Sequence, residues 1–104
     1  TLKGLGIDIV NLGLSTTPTV EMAVVDHAAD GGIIITASHN PKEWNALKLL
    51  NDKGEFISAE TGAEILHNAE NNQIEFSTVD KLGVVHKKYD HLNFHLDCVI
   101  NYPL

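Results

Sequence analysis

Cysteine is nearly absent from this chain: Cys98 is alone among 104 residues, so no internal disulfide is available and nothing demands an oxidising compartment. Basic residues are scarce as well. Seven Lys plus Arg stand against fourteen Asp plus Glu, a formal charge of −7, which argues against non-specific binding to nucleic acid or to an anionic membrane surface. An anionic ligand would therefore need cations gathered locally. No apolar run approaches the ~20 residues that span a bilayer, and no secretion signal is visible. Internal repeats and low-complexity tracts are missing too. What remains is an ordinary globular composition, 43% apolar, enough for one core and hence a single domain or a piece of one. The opening Thr-Leu-Lys has no methionine and runs almost at once into a strand, so the expectation is a fragment of a longer chain.

Read along the chain, Gly6 to Leu12 alternates loosely and is rich in β-branched residues, which predicts a strand ending at Gly13. In the S-T-T-P segment that follows, Thr17 is the expected N-cap and Pro18 the first helical residue, where its missing N–H costs nothing. Val20, Ala23, Val24 and Ala28 recur at helical spacing, and Asp30-Gly31-Gly32 is expected to close the helix. Ile33 to Ile35 form the uninterrupted run of a parallel strand covered on both faces. Strand, helix and strand make a βαβ unit, which puts Ser15-Thr-Thr-Pro and Ser38-His-Asn-Pro at the same carboxyl edge of the sheet, where open α/β sheets bind ligands. Ala46 to Leu50, the turn N-D-K-G and E-F-I then read as a β-hairpin, with Gly54 suited to a left-handed position. A helix from a Ser58 cap to about Glu70, a polar linker beginning at N-N-Q, a short V-V-H-K segment and a last helix over 89–101 complete the expectation. The fold class is α/β: a mixed sheet with a βαβ unit and a β-hairpin, and helices on both faces.

The stretch T-A-S-H-N-P, Thr36 to Pro41, carries the chemistry. It places Thr36, Ser38, His39 and Asn40 at the end of an apolar strand, and Pro41 stops the strand from continuing. A hydrolase reading fails, because adjacent Ser and His rarely face each other as a nucleophile and base must, and no G-x-S-x-G elbow surrounds the serine. A serine that accepts and donates a phosphoryl group needs exposure, donors for phosphate oxygens and a nearby cation. The loop meets the first two needs, and Lys48, ten residues on, is a candidate for the third if its hairpin folds back over the loop.

T-A-S-H-N-P followed by K-E-W-N-A-L-K resembles the phosphoserine loop of the α-D-phosphohexomutases, the phosphoglucomutase, phosphomannomutase and phosphoglucosamine mutase family. The upstream G-I-D-I-V-N-L-G-L-S-T-T-P-T and the downstream N-D-K-G-E-F-I extend the likeness over about the first seventy residues. The resemblance implies residues 1–88 as most of that family's first domain and 89–104 as a terminal helix leading toward the next. It implies Ser38 as the phosphate carrier and, through that phosphate, a ligand of Mg2+. It further implies His39 as a catalytic residue that, with Asn40, shapes the loop and contacts phosphate or substrate, Thr36 as a further phosphate or substrate contact, and Lys48 both as a general acid/base or electrostatic partner and as a phosphate contact. The reaction implied moves a phosphoryl group between the 1- and 6-positions of a hexose phosphate through a bisphosphate, in the cytoplasm. Trp44 stands where the family more often has tyrosine, and Ala46 where it often has glycine. The family's arginine-bearing loop, its D-G-D-x-D-R metal loop, its sugar-selecting loop and its last phosphate-binding loop have no counterparts in these residues. The partners implied are therefore the remaining domains of a parent chain, without which turnover is not expected.

Two other classes bear weighing. The same fold without the reaction would be a non-catalytic phosphate-binding or assembly module. A structural metal site is suggested by His91, His95 and Cys98, which share one helical face at zinc-compatible spacing. Three residues of one helix seldom complete such a site, however, and a half-buried histidine or thiol beside an apolar stripe is the commoner reading. His27, His67 and His86 read as ordinary surface or edge residues, and Thr16 and Thr17 as capping residues.

Overall fold

A computed structural model describes residues 1–41, 43–71 and 74–103, and the polar linker expected from Asn71 lies partly outside them, at Asn72 and Gln73. The chain divides into two units. In the unit built from Thr1–Leu14 and Ala59–Asp90, a 3-10 turn at Leu2–Leu5 leads into strand β1, Ile9–Asn11. Helix α2, Ala59–Glu70, spans the range expected for it, and after a second 3-10 turn at Val79–Lys81 comes strand β4, Val85–Lys87. Strands β1 and β4 pair in parallel, Ile9 with Val85 and Asn11 with Lys87. The entry to β4 is pinned by the Val84 N–H donating to Asp8 Oδ1 at 2.8 Å. Gly83 is required just before it, because a Cβ there would run into the Ile7 carbonyl.

The second unit, Ser15–Ser58 with the segment from His91, holds helix α1, Thr17–Asp26, strands β2, Gly32–Thr36, and β3, Ala46–Leu50, and helix α3, His91–Ile100. Strands β2 and β3 form an antiparallel ladder from Gly32–Leu50 to Thr36–Ala46. Directly opposed residues share a face, so Ile34, Lys48, Leu50 and Gly32 point one way and Ile33, Ile35 and Leu47 the other. The first face packs on α1: Val24, Ile34 and Leu50 make the buried cluster, with Val20 and Ala29 against it. Burying such side chains stabilises by ~1.5–3 kcal/mol each. Gly32 keeps the sheet close to the helix, since a Cβ there would lie 2.8 Å from Val24 Cγ2. The opposite face is open, with Ile33 45% and Ile35 73% exposed.

The α/β class holds, with parallel and antiparallel pairing both present. The distribution differs from the expectation: among the described residues β1 takes β4 as its parallel partner and β2 takes β3 as an antiparallel one, which is not the pairing of a βαβ unit. The open face of Ile33 and Ile35 likewise departs from a strand covered on both sides. Helix α1 departs at both ends. Thr16, not Thr17, is the N-cap: its backbone is extended and its Oγ1 accepts the Thr19 N–H at 3.3 Å. Pro18 is then the second helical residue, still within the turn whose N–H groups lack helical partners. At the other end the helix stops at Asp26, ahead of the glycines. Ala28 turns left-handed at φ 47°, its N–H donates to the Val25 carbonyl and the Ala29 N–H to that of Val24. Paired bonds of this kind form a Schellman cap, and Ala29 packs on Val24 as the cap's usual apolar contact. Gly54 does take the expected left-handed backbone, φ 75°, beside the Glu21 carbonyl. The β3–Phe56 hairpin shrinks to one bridge, Leu50 with Phe56. Among the described residues no helix is long and apolar enough to cross a membrane.

Candidate functional site

The loop 37–45 joins β2 to β3, so it leaves the sheet at the open end of the ladder, beyond the Thr36–Ala46 pair. A tight turn forms there at once. The Asn40 N–H donates to the Ala37 carbonyl at 2.9 Å, which makes Ser38 and His39 the central residues of a four-residue turn. Ser38 sits at φ 54°, a left-handed backbone that a residue with a Cβ adopts at a cost of ~1–2 kcal/mol. Its N–H donates to Thr36 Oγ1 at 2.9 Å, so the threonine at the strand end pins the turn from one side. On the other side the Trp44 N–H donates to the Pro41 carbonyl at 2.9 Å.

Ser38, His39 and Asn40 are all exposed, while Thr36 is half-buried. Ser38 Oγ lies 3.4 Å from His39 Nδ1, too long for the bond by which a base would draw the proton from a nucleophilic serine. The serine is thus exposed on a left-handed backbone with the His39 imidazole beside its hydroxyl, which makes no short hydrogen bond among the described residues. Thr36 Oγ1 accepts from Ser38 and keeps its own hydroxyl proton to donate. That arrangement presents a hydroxyl and several donors to a solute.

Lys48 is not gathered into the turn. Strand β3 runs away from the loop, and Lys48 pairs with Ile34, two residues or about 7 Å along the strand from the Thr36–Ala46 pair. Its Nζ lies over the Phe56 ring, 5.7 Å from the centroid. Among the described residues it makes no hydrogen bond to Ser38. It is half-buried, on the core face of the sheet.

The helical face of His91, His95 and Cys98 is dispersed. His95 Nδ1 pairs with Thr19 Oγ1 at 2.8 Å, a contact between α3 and the fully buried Thr19 of α1. Cys98 lines a cleft with Met22, Ile100 and Tyr102. His91 turns instead to His27, with ring centroids 5.1 Å apart. Nothing in the spacing marked Ser38 for a left-handed backbone, because serine is not a residue that announces one. Nor did it join His27 to His91, which are far apart in the chain.

Comparison with known proteins supplies the lineage. The family model for phosphoglucomutase/phosphomannomutase, alpha/beta/alpha domain I, matches residues 1–75, a span that contains the whole Ser38 turn and Lys48. A phosphomannomutase of Escherichia coli is 35% identical over 103 residues, covering 92% of this chain and 23% of that protein. A probable phosphoglucosamine mutase of Methanopyrus kandleri is 33% identical over 100 residues, covering 96% of this chain and 22% of that protein. A phosphomannomutase of Klebsiella pneumoniae is 41% identical over 80 residues, covering 76% of this chain and 50% of that protein. The chain thus spans under a quarter of the length of the first two curated relatives.

Proposed function

The chain belongs to the phosphoglucomutase/phosphomannomutase family, and on that footing we propose that Ser38 carries a phosphoryl group exchanged with a hexose phosphate. In this reading the chain is the serine-bearing part of a longer, cytoplasmic mutase whose other domains complete the site. The observation that carries it is the Ser38 hydroxyl, exposed on a turn tethered through Thr36 and Ala37, inside the stretch that matches the family.

The exchange balances as follows in atoms. A free hydroxyl of the sugar monophosphate attacks phosphorus on phospho-Ser38; the new P–O bond forms as the Oγ–P bond breaks, the attacking hydroxyl gives its proton to a base, and the departing Ser38 Oγ takes one up from an acid. The resulting bisphosphate turns over, Ser38 Oγ attacks its other phosphate, and phosphoserine is regenerated with the phosphate moved between the 1- and 6-positions. Thr36, His39 and Asn40 supply hydroxyl, ring and amide donors to phosphate oxygens. Lys48 serves as general acid/base or as the cation that offsets charge on the transferred group, after leaving the Phe56 ring.

Magnesium is the metal this family generally uses, and a phosphate oxygen on Ser38 is a hard donor of the kind it takes. Among the described residues, the group of three metal-ligating side chains lies at Asp26, His27 and His91 and shares no residue with the Ser38 turn. The residues present therefore offer magnesium a single anchor, a phosphate oxygen on Ser38. When bound, the ion neutralises charge on the phosphoryl group.

Intact-mass analysis of the full-length protein tests the proposal. A phosphoryl adduct mapping to Ser38 and discharged by hexose monophosphate is the expected result, with Ser38→Ala lowering turnover by roughly a thousandfold or more. A Ser38→Ala protein that keeps its mutase activity overturns it. Retention of sugar phosphate with no exchange onto Ser38 would instead identify a phosphate-binding module.

A further inference from the structure

Where α1 ends and α3 begins, three side chains that can ligate a metal converge. Asp26 is the last residue of α1, His27 its C-cap and His91 the first residue of α3. One ligand atom from each lies within 4.8 Å of the others. We propose that this junction binds one divalent ion of the zinc class, through the Asp26 carboxylate and the imidazoles of His27 and His91, with the remaining coordination open to water. It shares no residue with the Ser38 turn, and it stands or falls apart from the phosphoryl reading.

Four observations converge on it. First, Nε2 of His27 and Nε2 of His91 are both buried and neither has a hydrogen-bond partner. His91 is only 7% exposed, and a buried polar atom without a partner is costly, so two on rings whose centroids lie 5.1 Å apart call for an occupant. Second, the donor set is right for zinc and wrong for magnesium: two imidazoles and a carboxylate suit a borderline ion, whereas magnesium wants oxygen. Third, Asp26 lies in the last turn of α1, which has no basic residue to meet the partial negative charge of its carbonyls. An acid there is unfavourable, and a bound cation reverses the sign. Fourth, the left-handed Ala28 bends the chain directly after His27, while the Phe94 ring packs on that of His91 at 4.9 Å and braces it. Ligands at bond lengths of ~2.0–2.1 Å around a tetrahedral ion stand ~3.4 Å apart, a closure within reach of small side-chain rotations. Asp26 is exposed and supplies the entry path.

Equilibrium dialysis of the untagged chain against zinc, followed by metal analysis, tests the site. The expected result is one zinc per chain, with affinity falling at least about tenfold in His27→Gln and in His91→Gln, tenfold being the lower limit even for an outer partner of a metal ligand. Far-UV circular dichroism of each variant separates loss of a ligand from loss of fold, and the more exposed His27 provides the variant least able to disturb packing. Cobalt(II) in place of zinc is expected to give ligand-field bands without thiolate charge transfer, unchanged in Cys98→Ser. Zinc content below stoichiometric, affinity unchanged in a folded His27→Gln chain, or binding abolished by Cys98→Ser would each overturn the proposal, the last by moving the site to the cysteine.

Discussion

The turn after β2 and the junction after α1 share an uncommon backbone feature and differ in everything else. Each contains a non-glycine residue at positive φ, Ser38 at 54° and Ala28 at 47°. At the turn the strained residue is itself exposed and is the one proposed to carry the phosphoryl group. At the junction the strained alanine is inert, and its effect is to cap the helix and leave His27 with a buried, unpartnered nitrogen. Backbone strain therefore marks a place where the chain is being aimed, and the neighbouring side chains decide at what.

The comparison breaks most sharply at Ser38. Ser38→Ala keeps the turn and removes the oxygen, so phosphoryl exchange is expected to fall about a thousandfold or more while the denaturation midpoint barely moves. A large loss of stability would instead make Ser38 a structural residue. Both regions rest on one apolar cluster, and Leu50 is 4% exposed within it. Leu50→Ala is expected to cost ~2–5 kcal/mol in urea unfolding and to weaken both regions together; a loss below ~1 kcal/mol would show that they are supported separately. Next comes the tenfold loss of zinc affinity in His27→Gln, with no effect on phosphoryl exchange. Smaller again are Ser38→Gly and Ala28→Gly, each expected to raise stability by up to ~1 kcal/mol as the left-handed backbone is relieved against the entropy of glycine. Only the first should abolish exchange, and a destabilised Ala28→Gly would contradict the capping geometry. Thr16→Ala is expected to cost ~1 kcal/mol of stability, checked in the same titration, because Thr16 Oγ1 is the cap that accepts the Thr19 N–H.

Much of the second unit was legible in the residues. The isoleucine run, Pro41 and the alternation of Ala46 to Leu50 predict β2, its exit and β3 within a residue or two, and Gly54 is left-handed as its turn requires. The α1 boundaries were harder, because two adjacent threonines are equally good caps and only the extended backbone of Thr16 chooses between them. Its far end was misjudged since Gly31 and Gly32 advertise a stop that Ala28 has already made. The βαβ expectation rested on adjacency in sequence, and strand pairing is a long-range choice: the partner of β1 lies more than seventy residues away. Lys48 shows the same limit. Ten residues from Ser38 in sequence, it sits on a strand that runs away from the turn.

The residues alone determined that polar side chains gather in a turn at the end of β2, because a β-branched run ended by proline and flanked by polar donors admits few local structures. They determined the family as well, since the loop and its flanks are contiguous. Tertiary structure alone decided which strand each strand pairs with, where the Lys48 ammonium rests, and that His91 meets His27 rather than His95 or Cys98. Those outcomes depend on contacts between distant segments, whose free energies are set by packing and burial in three dimensions and leave no period in the chain.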